Sequence, residues 1–198
     1  MLQYNENYYK VIQFKRPVRK KGFESDEPLI TKSKSNSTYK SDDIIQQSIS
    51  RAKKTIFDYA LCNDFDYFVT LTFDRKKVDS SDLVLLKKRV GQWLNNYKKR
   101  VNPSLKYLII PELHSDKKHF HFHGLISDIS SIKEYKKSKK GVMRYNWLDW
   151  HDKFGFTSLE AIKNKNAVSK YITKYVTKEI ITTFNKQRYL VSKGLKKP

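Results

Sequence analysis

Apolar and polar positions along this 198-residue chain follow two different periods. From Ser41, the residues Ile45, Ile49, Ala52, Ile56 and Ala60 recur every three or four positions, the stripe of an amphipathic helix. Ser41 is a suitable N-cap, and Asp42 and Asp43 complement the helix dipole in the first turn. Tyr67-Phe68-Val69-Thr70-Leu71-Thr72-Phe73 is β-branched and aromatic throughout and predicts a mostly buried strand. Helical spacing returns with Leu83, Leu86, Val90, Trp93, Leu94 and Tyr97, which predicts a helix from about Ser81 to Arg100, with Pro103 beyond its end. Leu105 to Glu112 and His119 to Ile126 read as two more strands, and Gly155 to Ile162 as a fourth. Trp147 and Trp150 fit a short helix, and Asn166 is expected to cap another from about Ala167 to Thr182.

The strand from His119 carries the most informative pattern. His119, Phe120, His121, Phe122 and His123 alternate, so the imidazoles share one face and the phenylalanines the other. Neighbouring imidazoles then stand about 7 Å apart, near enough for two to reach one metal ion. The turn Ser115-Asp116-Lys117-Lys118 folds the two adjacent strands into a hairpin centred on Asp116 and Lys117. That register sets Glu112 opposite His121. Opposed residues project to the same face with Cβ atoms ~5 Å apart, so Glu112 lands beside His121 and His123.

Composition narrows the class. Lys and Arg outnumber Asp and Glu by 41 to 20, a formal charge of +21 that calls for a polyanionic partner, nucleic acid before an anionic membrane surface. No apolar run is long enough to span a membrane, and no signal peptide is evident, so a cytoplasmic protein is expected. The single cysteine, Cys62, excludes an intrachain disulfide framework. Thirteen Tyr and eleven Phe interleaved with Lys suit stacking on bases, although most must serve the core. Residues 1–40 are expected to be a basic, poorly structured arm, with the run Phe14 to Gly22 and a linker-like Thr31 to Thr38; residues 41–198 form one domain. The tail from Arg188 to Pro198 stops without a clear terminal element, the pattern of a piece of a longer protein.

A second chemical motif lies near the C-terminus, where Tyr171-Ile172-Thr173-Lys174-Tyr175-Val176-Thr177-Lys178 repeats Tyr-x-x-Lys at an offset of four. On a continuous helix, Val168, Ile172 and Val176 form an apolar edge. Tyr171 and Tyr175 stand one turn apart beside it, and Lys174 and Lys178 follow on their far side. A neutral phenol, with a reference pKa near ~10, is a weak nucleophile; neighbouring ammonium groups favour the phenolate and attract phosphate.

Taken together, Phe68-Val69-Thr70-Leu71-Thr72-Phe73, then His121-Phe122-His123-Gly124-Leu125-Ile126, then the two-tyrosine motif resemble the HUH endonuclease superfamily. The resemblance is to rolling-circle replication initiators of phage and plasmid type, the microvirus and filamentous-phage kind, over about residues 65–198. It implies an α+β fold: a ferredoxin-like or RRM-like antiparallel sheet of four to five strands with helices packed on it. It also implies metal-dependent, site-specific nicking and rejoining of single-stranded DNA at a replication origin, through a 5′-phosphotyrosine intermediate. The family has two histidines and an acidic or polar third ligand hold the cation. Here these map to His121 and His123, with Glu112 from the hairpin geometry and His119 as the alternative. A carboxylate favours Mg²⁺ or Mn²⁺, whereas three imidazoles would lean toward zinc-like ions. Tyr171 and Tyr175 are the candidate nucleophiles, unranked. Lys174, then Lys178, is the candidate for positioning phosphate. No Walker-type phosphate loop is present, so unwinding would fall to a host helicase, with a host polymerase extending the 3′ end in the bacterial cytoplasm. Three alternatives stay open: a single-strand DNA transposase of the same superfamily, a non-catalytic single-stranded nucleic-acid-binding module, and a zinc-stabilised structure using His119, His121 and His123.

Overall fold

The computed structural model describes residues 2–11, 13, 41–137, 141–183 and 188–198. The basic run Phe14 to Gly22, the segment Thr31 to Thr38, and Lys139 and Lys140 therefore lie outside the described residues, as does the side chain of the expected cap Ser41. At the N-terminus β1 (Leu2–Asn5) and β2 (Tyr8–Lys10) form a small hairpin, and Tyr4 packs with Phe57, Leu61 and Cys62 at the end of α1 (Ser41–Cys62). The first ten residues thus fold onto the domain, which their weak patterning did not reveal.

The central strand β3 (Tyr67–Leu71) alternates as its sequence predicts, with Val69 and Leu71 fully buried on one face and Phe68 and Thr70 on the other. Helix α2 (Leu83–Arg100) starts at Asp82, whose carboxylate accepts from the N–H groups of Val84 and Leu85. Strands β4 (Lys106–Leu113) and β5 (Phe120–Ser127) form the expected hairpin, with Glu112 opposite His121. Gly124 is required there: a Cβ at that position would stand 2.7 Å from Ile109 Cγ1 and 2.8 Å from the Leu108 carbonyl oxygen. The chain continues through β6 (Ile132–Lys137), β7 (Met143–Trp147), α3 (Leu148–Lys153), β8 (Thr157–Ala161), α4 (Lys165–Ile172), a 3₁₀ turn (Thr173–Tyr175), α5 (Lys178–Thr183) and β9 (Leu190–Val191).

One antiparallel sheet takes seven of these strands in the order β6-β7-β8-β3-β5-β4-β9, two or three more than expected. The additions are β6 and β7 at one edge and β9 at the other, where Val191 pairs with Leu108. One face of the sheet is fully covered. Val69, Leu71, Ile109, Phe122, Ile126 and Leu159 pack there with Leu86, Val90 and Leu94 of α2 and with Trp147, Trp150 and Phe154. The other face is only partly covered. Leu108, Ile110 and Leu125 lie beneath Ile49, Ala52 and Ile56 of α1, with Ile172, Val176 and Ile181 from the C-terminal helices. Further along the same strands, the face that carries Glu112, His121, Thr70 and Ser158 stays open.

Two local departures shape that open region. Asn164, rather than Asn166, caps α4 by accepting from Ala167 N at 2.9 Å, so the helix starts earlier than expected. The single helix expected to run to Thr182 also breaks. After the 3₁₀ turn, Val176 takes an extended backbone with its side chain buried, and a new helix begins at Lys178. Burying the β-branched Val176 against α1 overrides the helical continuation that its neighbours favour.

Candidate metal centre and tyrosine pair

Glu112, His121 and His123 converge as the hairpin register requires. Glu112 Oε2 lies 2.8 Å from His121 Nε2 and 2.7 Å from His123 Nε2. Donor atoms of all three residues fall within 4.8 Å of one another, so the cluster can hold a metal ion. The rings of His121 and His123 stand nearly perpendicular, 4.7 Å apart, which lets two imidazoles from one strand direct their Nε2 atoms at one point.

His123 is held more firmly than any other member of the cluster. Its ring is buried, Thr70 Oγ1 meets its Nδ1 at 3.1 Å across the β3–β5 pair, and Tyr175 stacks flat on it at 3.9 Å with 13° between planes. Burial, and then the neighbouring His121, push its pKa down to about 4 despite the opposing pull of Glu112. At neutral pH this imidazole is neutral, the form that ligates metals. Without a metal, Nε2–H donates to Glu112 and Thr70 donates to Nδ1. Ligation through Nε2 moves the proton to Nδ1, and the Thr70 hydroxyl can turn to accept it.

His119 does not join the cluster. β5 starts one residue later, so the alternation that would bring His119 to the same face has not begun. Its Nδ1 instead meets Asp116 Oδ2 at 2.7 Å, and Arg75 stands 3.2 Å away. His114 touches His121 edge-on at 5.6 Å, and His151 sits on the surface beside Asp152.

The two tyrosines remain one turn apart but differ sharply. Tyr171 is 47% exposed, and its hydroxyl accepts a 2.5 Å hydrogen bond from Lys174 Nζ and a 3.4 Å bond from Tyr175. The Lys174 bond, seconded by Tyr175, lowers the Tyr171 pKa. Tyr175 is buried, because the tighter 3₁₀ winding turns it into the sheet, and burial, followed by its bond to Tyr171, raises its pKa. Phe68 meets Tyr171 at 5.5 Å and Tyr175 at 6.2 Å, tying the pair to β3. Lys174 also lies over both phenol rings, at 3.9 and 4.7 Å. Lys178 goes elsewhere: the break at Val176 sends it to Asp42 of α1, 3.1 Å away.

A cavity of about 720 Å³ opens beside this group, with His123, Tyr171 and Tyr175 on one wall and Arg144, Ser158 and Glu160 on the other. Thr70, Phe68 and this far wall were not singled out as site residues from the sequence. The available signal was the alternation of Phe68 and Thr70 in β3, which puts both on the histidine face.

A family model for the Replication-associated protein ORF2 matches residues 66–180, a span that includes Glu112, both clustered histidines and both tyrosines. The open-faced antiparallel sheet is compatible with an HUH endonuclease fold. No curated protein and no solved structure matches the chain.

Proposed function

Because the chain belongs to the Replication-associated protein ORF2 family, we propose that it initiates rolling-circle replication by nicking and rejoining single-stranded DNA through a 5′-phosphotyrosine. The observation that carries this reading is the exposed, Lys174-bonded phenol of Tyr171, which shares one cavity wall with the buried imidazole of the Glu112–His121–His123 cluster.

The donor set fits a divalent cation: one carboxylate and two imidazoles, with donor atoms already gathered in one place. Glu112 Oε2, His121 Nε2 and His123 Nε2 would hold it, and the carboxylate suits Mg²⁺ or Mn²⁺. When bound, such an ion supplies positive charge that polarises the phosphate and stabilises charge developing on it. The protein's own groups do the rest. Thr70 and the stacked Tyr175 keep the His123 ring from turning. Lys174 favours the Tyr171 phenolate, whose proton passes to solvent. The phenolate oxygen attacks phosphorus; the O–P bond to tyrosine forms as the P–O3′ bond breaks, and the departing oxygen takes a proton from water to become a 3′-hydroxyl. Reversal by a 3′-hydroxyl rejoins the strand and restores the phenol. Tyr171 is the first nucleophile in this scheme. Tyr175, neutral and sheltered until the strand is engaged, is the second.

The basic chain, with its formal +21 charge, suits a DNA partner, and among the described residues no helix is long and apolar enough to cross a membrane. Helicase and polymerase of a bacterial host would supply unwinding and synthesis. The test is a denaturing gel after incubation with a labelled pool of single-stranded oligonucleotides and Mn²⁺. A covalent protein–DNA adduct is expected, and it should vanish with chelator and in the Tyr171→Phe, Tyr175→Phe double variant. Salt-sensitive binding without an adduct on any sequence would leave only a nucleic-acid-binding module.

A further inference from the structure

The far wall of the cavity carries features that the nicking chemistry does not use. Arg144 on β7 and Glu160 on β8 are cross-strand partners and line the cavity opposite the tyrosines. Their charged ends stand 3.7 Å apart, longer than a hydrogen bond, and both side chains are about two-fifths exposed. The Arg144 Nε–H is buried with no hydrogen-bond partner among the described residues, a donor whose desolvation nothing there offsets. An acceptor on a ligand seated in the cavity would satisfy it.

The surroundings favour a nucleobase as that ligand. The volume, about 720 Å³, lies within the range of small-molecule pockets and has room for a nucleotide. Phe68 and Val168 give the cavity apolar surface against which a flat ring can lie. At the outer rim Tyr135 and Phe156 form an exposed edge-to-face pair at 4.9 Å, and the Tyr135 hydroxyl bonds Ser158 Oγ at 2.9 Å. These rings can carry the next base. The exposed Lys133 and Lys136 on the neighbouring strand add positive charge for the backbone.

We infer that this cavity takes one unstacked base of the DNA strand next to the scissile link, and that Arg144 and Glu160 read its edge. Glu160 accepts from a donor on the base, and Arg144 donates to a neighbouring acceptor, as base edges offer them side by side. The choice of DNA rests on the nicking reading; the test does not need nicking to occur.

The experiment incubates the full chain with single-stranded oligonucleotides carrying a randomised window. One arm contains Mn²⁺ and retains covalent products under denaturing conditions. The other contains chelator and retains bound strands under native conditions. Both retained pools are sequenced for wild type, Arg144→Gln and Glu160→Gln. The wild type is expected to prefer certain bases at a position beside the link, with discrimination of roughly 5- to 150-fold. Each variant should flatten that one position and leave the preferences at its neighbours. Both side chains are substantially exposed, so the variants are expected to fold. Preferences unchanged in both variants would overturn the inference, as would a loss spread evenly over all positions, which marks a general loss of affinity. Absence of covalent products from every protein would defeat the nicking reading alone, because the chelated arm still reports whether the position-specific preference depends on Arg144 and Glu160.

Discussion

Thr70→Val tests whether the hydroxyl behind His123 tunes the metal cluster. The substitution keeps nearly the same volume in β3 and removes one hydrogen bond, the 3.1 Å contact to His123 Nδ1. A net hydrogen bond of ~1 kcal/mol corresponds to roughly a five-fold change in affinity. More is at stake here, because ligation through Nε2 places the proton on Nδ1, and valine leaves that buried N–H without an acceptor. Such supporting partners are typically worth roughly 10- to 100-fold in metal affinity. The metal-free protein also loses its Thr70 bond, which offsets part of the effect and favours the lower half of that range. Mn²⁺ titration followed by calorimetry, or by the electron-paramagnetic resonance of unbound Mn²⁺, should show Thr70→Val binding roughly 10- to 30-fold more weakly. Thr70→Ser should stay within about threefold of wild type, because it keeps the hydroxyl. Equal affinity for Thr70→Val and wild type would refute the reasoning. An equal loss in serine and valine would show that packing, not the hydrogen bond, matters.

Other outcomes follow from the same geometry. Tyr171→Phe should slow the first cleavage on the order of 10³-fold or more, whereas Tyr175→Phe should keep initial adduct formation within about tenfold and impair rejoining; single-turnover gels separate the two. Lys174→Met removes the main cause of the lowered Tyr171 pKa, so the rise of the cleavage rate with pH should move to higher pH in a pH–rate profile. The depressed pKa of His123, about 4 in the folded state, means that the unfolded chain binds more protons between roughly pH 4 and 6.5. Metal-free wild type should therefore lose stability as pH falls through that window, and His123→Gln should show a shallower loss in chemical denaturation. Gly124→Ala should cost roughly 1–3 kcal/mol, because the added methyl meets the Leu108 carbonyl at 2.8 Å and Ile109 Cγ1 at 2.7 Å, and it should also disturb the adjacent His123.

The heart of the cluster was legible because a two-residue period and a short polar turn leave a hairpin little choice of register. Glu112 opposite His121 follows from Ser115 to Lys118 and from the alternation alone. The Tyr171–Tyr175 pair was legible as helical spacing and survives the change to a 3₁₀ turn. What depends on distant partners was hidden. The break at Val176 is set by packing on α1, so Lys178 could not be separated from Lys174 by spacing. His119 has the right parity but lies before the strand begins, where Asp116 captures it. Strand β6 escaped notice because Lys133, Glu134, Lys136 and Lys137 give it no apolar face to betray its period. Strand β9 is two residues long and exists only by pairing with β4.

The most direct measurement maps the covalent link itself. After reaction with single-stranded DNA and Mn²⁺, nuclease trimming and proteolysis leave a peptide bearing the residual nucleotide, and fragmentation mass spectrometry locates its attachment. The expected result is a phosphotyrosyl ester at Tyr171, formed only with the metal and absent from Glu112→Gln. Attachment at any residue other than Tyr171 or Tyr175, or an undiminished adduct in the presence of chelator, would contradict the proposal that this cluster and this phenol act together.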